Sequence, residues 1–190
     1  MTRLALWILP LLWGGYLTYW QYMARHVKQE TRREDLASRR LRLVLMLAAI
    51  ALMTTPRLPL WPLEVRFLPA APWVLWSGVA LTALGLGLSV WARHHLGANW
   101  SRAVTLKQDH ELITSGPYAL VRHPIYTGLL LAIAGGAVCL GECRGLAGLA
   151  LMGFVFWRKL SLEERWMRIQ FGAVYEDYSY RTAALIPFLF

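Results

Sequence analysis

The residues best equipped for chemistry are Arg122-His123-Pro124-Ile125-Tyr126 and, further along, Lys159 with the adjacent acids Glu163-Glu164. Proline is pre-organised for a first helical position and loses no needed donor there, so Pro124 is expected to start a helix. Arg122 and His123 then lie at that helix's N-terminus, where free backbone N–H groups favour a carboxylate or phosphate. Tyr126 follows within the first turn. Glu163 and Glu164 are neighbours in sequence and point different ways on a helix, so they are not a paired-carboxylate acid and base. One is expected to face a site and the other solvent. A carboxylate there suits an ammonium or a ribose hydroxyl, and Lys159 shares a helical face with Glu163 at i,i+4.

The elements that must position these groups are hydrophobic. Of 190 residues, 57% are apolar and only 16% charged, with ten tryptophans, a balance wrong for an ordinary water-soluble domain. Five apolar stretches stand out, at 4–23, 41–55, 72–92, 125–140 and 146–157. A bilayer core of about 30 Å needs about 20 residues per helix, so the first and third suffice alone and the others borrow flanking residues. The first run is long for a signal peptide and lacks a small-residue cleavage pattern, so it is expected to remain as a span. The expected fold is therefore all-α, a polytopic membrane protein of about five transmembrane helices. It forms a single integral membrane domain over 1–190, with N-terminal spans in 1–92 and the residues equipped for chemistry in 93–190.

The formal charge of +9 is interleaved with apolar runs and is topology information, with no nucleic-acid surface implied. Arginine and lysine concentrate in the loop after the first stretch, the loop after the third and the C-terminal tail. The positive-inside tendency then places the N-terminus outside, and the C-terminus and site in the cytosol. The loop 93–124 reads as irregular, with a turn at Ser115-Gly116-Pro117-Tyr118. The tail 161–180 has the spacing of an amphipathic helix broken near Gly172. His94-His95 lacks helical metal-ligand spacing, Cys139 and Cys143 are too few for a disulfide framework, and no metal is expected. Gly85-Leu86-Gly87, Gly135-Gly136, Gly145 and Gly148 suit close helix contact.

The order His110-Glu111-Leu112-Ile113-Thr114-Ser115-Gly116-Pro117-Tyr118, then Arg122-His123-Pro124-Ile125-Tyr126-Thr127-Gly128, resembles the signature of the isoprenylcysteine carboxyl methyltransferase family. After a helical hairpin, Glu163-Glu164, Phe171-Gly172, Tyr175, Tyr178 and the closing 181–187 also resemble that family and its phospholipid-methyltransferase relatives. The resemblance covers roughly 99–187. It implies an integral membrane enzyme that moves a methyl group from S-adenosylmethionine to a lipophilic acceptor reaching the site from the bilayer. S-Adenosylhomocysteine is the product, and an isoprenylcysteine-like carboxylate is the first expectation for the acceptor.

The cofactor contacts implied are His110, Glu111, Leu112, Ile113, Tyr118, His123, Pro124, Ile125, Tyr126 and Glu163, held by the loop before the fourth span and the C-terminal helix. Relatives carry an arginine proposed to engage the substrate carboxylate where this chain has Lys159, with Arg158 beside it. Lysine offers a point charge in place of a bidentate fork. Lys159 and Glu163 are thus the implied catalytic pair, and the partners are a lipophilic or lipidated acceptor and membrane lipids. The alternatives are a phospholipid or other lipid-amine N-methyltransferase and an NADPH-dependent membrane reductase of the sterol reductase type. A transporter would place ionisable residues mid-membrane, and the apolar stretches hold essentially none.

Overall fold

The computed structural model describes residues 2–26, 35–55, 61–97 and 112–187. Six α-helices follow one another: α1 (Thr2–Met23), α2 (Leu36–Thr54), α3 (Pro72–Leu96), α4 (Pro124–Leu140), α5 (Cys143–Phe171) and α6 (Ala173–Arg181). Short 3-10 turns occupy Ala24–His26 and Gly116–Ala119. No strand occurs among the described residues, so the all-α expectation holds. The five apolar stretches coincide with α1 to α5. Two of these helices, α3 and α5, are long and apolar enough to cross a bilayer, and α4 is a shorter apolar helix.

Two boundaries differ from expectation for identifiable reasons. The second helix starts at Leu36, because the Asp35 carboxylate accepts hydrogen bonds from the amides of Ala37 at 3.0 Å and Ser38 at 3.4 Å and so caps a turn rich in arginine. The fifth apolar stretch and the amphipathic tail are one continuous helix of 29 residues. Nothing between Trp157 and Ser161 breaks it, since neither glycine nor proline occurs there. At 1.5 Å per residue such a helix is about 43 Å long, well beyond the roughly 30 Å hydrocarbon core, so its charged end projects past the apolar part. It stops at Gly172, whose φ of 50° lies in the left-handed region, and α6 begins directly afterwards.

The tightest packing joins α3 to α4 through glycines. A Cβ on Gly128 would lie 2.5 Å from the Gly85 carbonyl, and one on Gly135 would lie 2.5 Å from the Gly78 carbonyl. Thr82, fully buried, ties the seam by donating to the carbonyls of Gly78 at 2.9 Å and Ala132 at 3.2 Å. Of the glycines expected at helix contacts, Gly85, Gly135, Gly145 and Gly148 meet neighbours closely, whereas Gly87 has open space. The first helix lies against α3, with Tyr16 bonded to Ser89 at 2.9 Å and stacked on Trp20. The second helix lies against α5, where Ala49, Ile133, Met152, Val155 and Phe156 form a buried cluster.

At the end opposite the site, Arg144 joins Glu142 at 2.6 Å and also donates to the Leu52 and Thr55 carbonyls at the C-terminus of α2. These bonds hold the α4–α5 turn against α2.

Candidate functional site

His123 immediately precedes α4, and Pro124, fully buried, supplies the first helical residue. From the facing helix α5, successive residues bring Glu163 and Glu164 to opposite edges of the His123 ring. Nδ1 lies 3.6 Å from Glu163 Oε2 and Nε2 lies 3.4 Å from Glu164 Oε1. The expectation that one acid faces solvent is corrected here: Glu164 is buried and Glu163 half-buried. The ring inserts between the two directions that adjacent helical residues take, so both carboxylates meet the same side chain.

Each acid has a distinct role. Glu163 accepts from the Tyr126 hydroxyl at 2.5 Å through Oε1, and Lys159 Nζ stands 3.8 Å from the same oxygen. Tyr126 stacks on His123 with ring centroids 5.6 Å apart and on Phe156 at 5.2 Å. Lys159 Nζ is 5.3 Å from the Tyr126 centroid, within cation–π range. Glu164 instead takes the Arg122 Nε at 2.9 Å and Arg168 at 3.2 Å. It lies on the charged extension of α5 beyond the apolar stretch. Burial alone would raise its pKa, but hydrogen bonds from His123 and Arg122 and the charge of Arg122 prevail and lower it to about 2.

Arg122 is committed to structure. Besides Glu164 it donates to the carbonyls of Ser179, at 2.9 Å, and Thr182. The amides of Arg122 and His123, expected to face an anion, donate to the carbonyls of Ala183 at 2.8 Å and Ala184 at 3.0 Å. Thr127 adds a bond to the Leu185 carbonyl at 2.6 Å. Residues 182–185 thus zip along the entrance of α4 and occupy donors that an anion would have used. Sequence patterning gives no warning of this, because a short extended segment bonding through its backbone carries no side-chain signature.

Tyr118 is buried beneath the same region, its hydroxyl reaching the Ala92 carbonyl at 3.4 Å and its own carbonyl accepting from Tyr178 at 2.6 Å. Burial pushes the Tyr178 phenol up to about 12, which keeps it a donor in this bond.

These groups line the polar end of a cavity of about 1330 Å³. Leu112, Ile113, Tyr118, His123, Ile125, Tyr126, Lys159 and Glu163 all border it. Its other end is apolar and is walled by α1 and α2, including Leu9, Trp13, Leu17, Leu43, Met46 and Ile50. Pro124 starts the helix and is absent from the lining, while His110 and Glu111 lie outside the described residues. Tyr175 and Tyr178 of α6, which belong to the family resemblance without an expected cofactor contact, also border the cavity, as do Trp166 and Gln170 of α5 and the α1–α2 wall, which were not expected at the site. The tyrosines carried a signal in their spacing, but hydrophobicity alone accounts for α1 and α2. Among the described residues no group of three or more His, Cys, Asp or Glu is placed to hold a metal.

A single space with a hydrogen-bonding end and an apolar end suits a polar reagent meeting a lipophilic one. The family profile described as phospholipid methyltransferase matches residues 73–174, more than half of the chain. The chain belongs to the phospholipid methyltransferase family. Membership places it in a class of methyltransferases, and the match runs from α3 into α6, including every site residue from Tyr118 to Glu164.

Individual relatives narrow the kinship. Protein-S-isoprenylcysteine O-methyltransferase B of Arabidopsis thaliana is 28% identical over 135 residues, covering 66% of this chain and 67% of the relative. The protein-S-isoprenylcysteine O-methyltransferase of Schizosaccharomyces pombe is 31% identical over 119 residues, covering 60% and 49%. Its Mus musculus counterpart is 33% identical over 135 residues, covering 67% and 47%. The chain therefore spans about half the length of the fungal and mammalian relatives it matches. Together with the apolar helices, this kinship makes the chain a membrane protein.

Proposed function

We propose that the chain is an integral membrane methyltransferase that uses S-adenosylmethionine to methylate the carboxylate of an isoprenylcysteine-like, lipophilic acceptor. The observation that carries this reading is the continuity of the cavity. Its polar end holds a carboxylate, a lysine and stacked aromatic rings, and its apolar end, lined by Leu9, Trp13, Leu17, Met46 and Ile50, suits a hydrocarbon chain. The volume exceeds the roughly 300–1,000 Å³ of a typical small-molecule pocket and leaves room for two ligands together. The names of the relatives favour an isoprenylcysteine acceptor over a lipid amine.

The donor set fits the cofactor. Glu163 offers a half-buried carboxylate to an ammonium or ribose hydroxyl, and Leu112, Ile113, Tyr118 and Tyr126 offer apolar and aromatic faces to a flat base. When bound, the cofactor supplies an activated methyl group whose departure leaves a neutral thioether. The chain's own task is then alignment and exclusion of water. Stacking between His123 and Phe156 fixes the Tyr126 ring, and the Tyr126 hydroxyl fixes Glu163. Lys159, beside Glu163, is the group assigned to the acceptor carboxylate.

In the same reading the chain forms one domain with about five spans, α1 to α5, an external N-terminus and a cytosolic site. The spans in 1–92 build the lipophilic wall, and 93–190 forms the core that holds the cofactor. The test is transfer of labelled methyl from S-adenosylmethionine to a prenylated N-acetylcysteine by the purified protein in bilayer discs. Base-labile label on the acceptor is the expected result. Absence of transfer to this acceptor, with cofactor binding intact, overturns the acceptor assignment.

A further inference from the structure

The apolar end of the cavity has a floor. On α4 the lining keeps to one face, through Tyr126, Leu129, Ile133 and Gly136, the spacing of successive helical turns. On α2 it runs as far as Met53 and Thr54, and on α5 it stops at Met152. Met152 belongs to the buried cluster that includes Ala49 and Ile133, and Met53 packs against that cluster.

Two features set Met53 apart. Its backbone is fixed: Arg144, itself buried, donates to the carbonyls of Leu52 and Thr55 on either side of it while bonded to Glu142 at 2.6 Å. Its side chain lies in a gap that glycines open. A Cβ on Gly136 would stand 3.4 Å from the Met53 methyl, and one on Gly148 would stand 2.6 Å from its Cγ. The thioether fills the space that α4 and α5 leave at that level, and its three rotatable bonds let it retract where the backbone cannot.

Depth follows from helix geometry. At 1.5 Å per residue, Gly136 lies about 15 Å beyond Tyr126 along α4, and Lys159 stands over the Tyr126 ring at 5.3 Å. An extended chain advances about 1.2 Å per bond, so an acceptor whose carboxylate sits at Lys159 covers that depth in roughly twelve bonds. The cysteine uses about three of these and each isoprene unit about four, so two units reach the floor and a fourth overruns it.

We propose that Met53, seated over Gly136, is a specificity-determining residue that sets the length of hydrocarbon chain the site accepts. The proposal rests on the methyltransferase reading and assigns acceptor selection to a helix outside the family match, which begins at residue 73. The occupant of the apolar end is the prenyl chain of the acceptor, and its last units press on the thioether, the part of the floor that yields.

The test uses the full chain in bilayer discs, with N-acetylcysteines carrying two, three or four isoprene units. Met53→Ala removes the plug and is expected to lower the KM for the four-unit acceptor about tenfold relative to the two-unit one, the effect of burying roughly two further carbons. Gly136→Leu raises the floor and shifts the same ratio about tenfold the other way. Gly136→Ala, whose Cβ stands 3.4 Å from a movable methyl, shifts it in that second direction by about threefold and serves alone if the leucine variant does not fold. Affinity for S-adenosylhomocysteine, which occupies the polar end, stays within about twofold of wild type in each variant. A ratio unchanged in Met53→Ala, or KM values that move equally for all three acceptors, overturns the proposal, because the chain then ends elsewhere than on Met53. Wild-type protein that transfers methyl to none of the three removes the parent reading instead, so the two failures are distinct.

Discussion

Replacing Arg122 by methionine tests whether the clasp between the α4 entrance and the C-terminal segment organises the site. Arg122 reaches Glu164 Oε1 through two nitrogens, at 2.9 and 2.8 Å, and both side chains are only 10% exposed. Removing one partner of a fully buried pair costs about 3–5 kcal/mol, chiefly because the remaining charge is stranded. Here His123 at 3.4 Å and Arg168 at 3.2 Å continue to compensate Glu164, which lowers the expected loss to about 2–3 kcal/mol. The carbonyls of Ser179 and Thr182 lose a donor in the same step. For a chain of this size the result is a fall in melting temperature of about 5–10 °C. Thermal unfolding in detergent micelles, followed by tryptophan fluorescence, reads this directly. Arg122→Lys should recover only part, since an ammonium cannot reach Glu164 and two carbonyls in the fork geometry. A melting temperature for Arg122→Met within about 1 °C of wild type refutes the clasp.

Three further outcomes are expected. Gly128→Ala forces a Cβ against the Gly85 carbonyl and the Ser89 amide and should cost about 1–3 kcal/mol, whereas Gly87→Ala, with open space, should be neutral or slightly stabilising in the same melts. Tyr126→Phe removes the donor to Glu163 while keeping both ring stacks, so S-adenosylhomocysteine affinity should fall about threefold to tenfold with little change in melting temperature, as calorimetry would show. Because the Glu164 pKa is depressed from 4.5 to about 2, its contribution to stability is complete above pH 4.5 and is lost as pH falls towards 2. The melting-temperature gap between wild type and Glu164→Gln should therefore be flat from pH 8 to 5 and close below pH 4.5, while a gap that widens on acidification would contradict the assignment.

The starts of α3 and α4 and the end of α5 were legible because Pro72, Pro124 and Gly172 start or stop a helix there. The start of α2 was missed because hydropathy weighs Ser38, Arg39 and Arg40 against a span, while the Asp35 cap and the flanking leucines are enough to extend the helix over them. The site was half legible. Arg122, His123, Tyr126 and Glu163 do converge, but the backbone amides of Arg122 and His123, expected to favour an anion, are spent on the carbonyls of Ala183 and Ala184. Glu164 was misplaced because helical geometry separates neighbouring side chains by direction alone, and a ring inserted between two such directions meets both. The contribution of α1 and α2 to the cavity depends on tertiary approach over long sequence distance, which no local pattern encodes.

Calorimetric titration of S-adenosylhomocysteine into the purified wild-type chain, alongside Glu163→Gln and His123→Ala, tests the central claim most directly. The account predicts stoichiometric binding by wild type and losses of about tenfold to a hundredfold in Glu163→Gln, the effect of removing a charged hydrogen-bond acceptor from a half-buried site. It predicts a clear loss in His123→Ala, which frees both carboxylates and the Tyr126 ring. No binding by a folded wild-type preparation, or unchanged affinity in both variants, would contradict it.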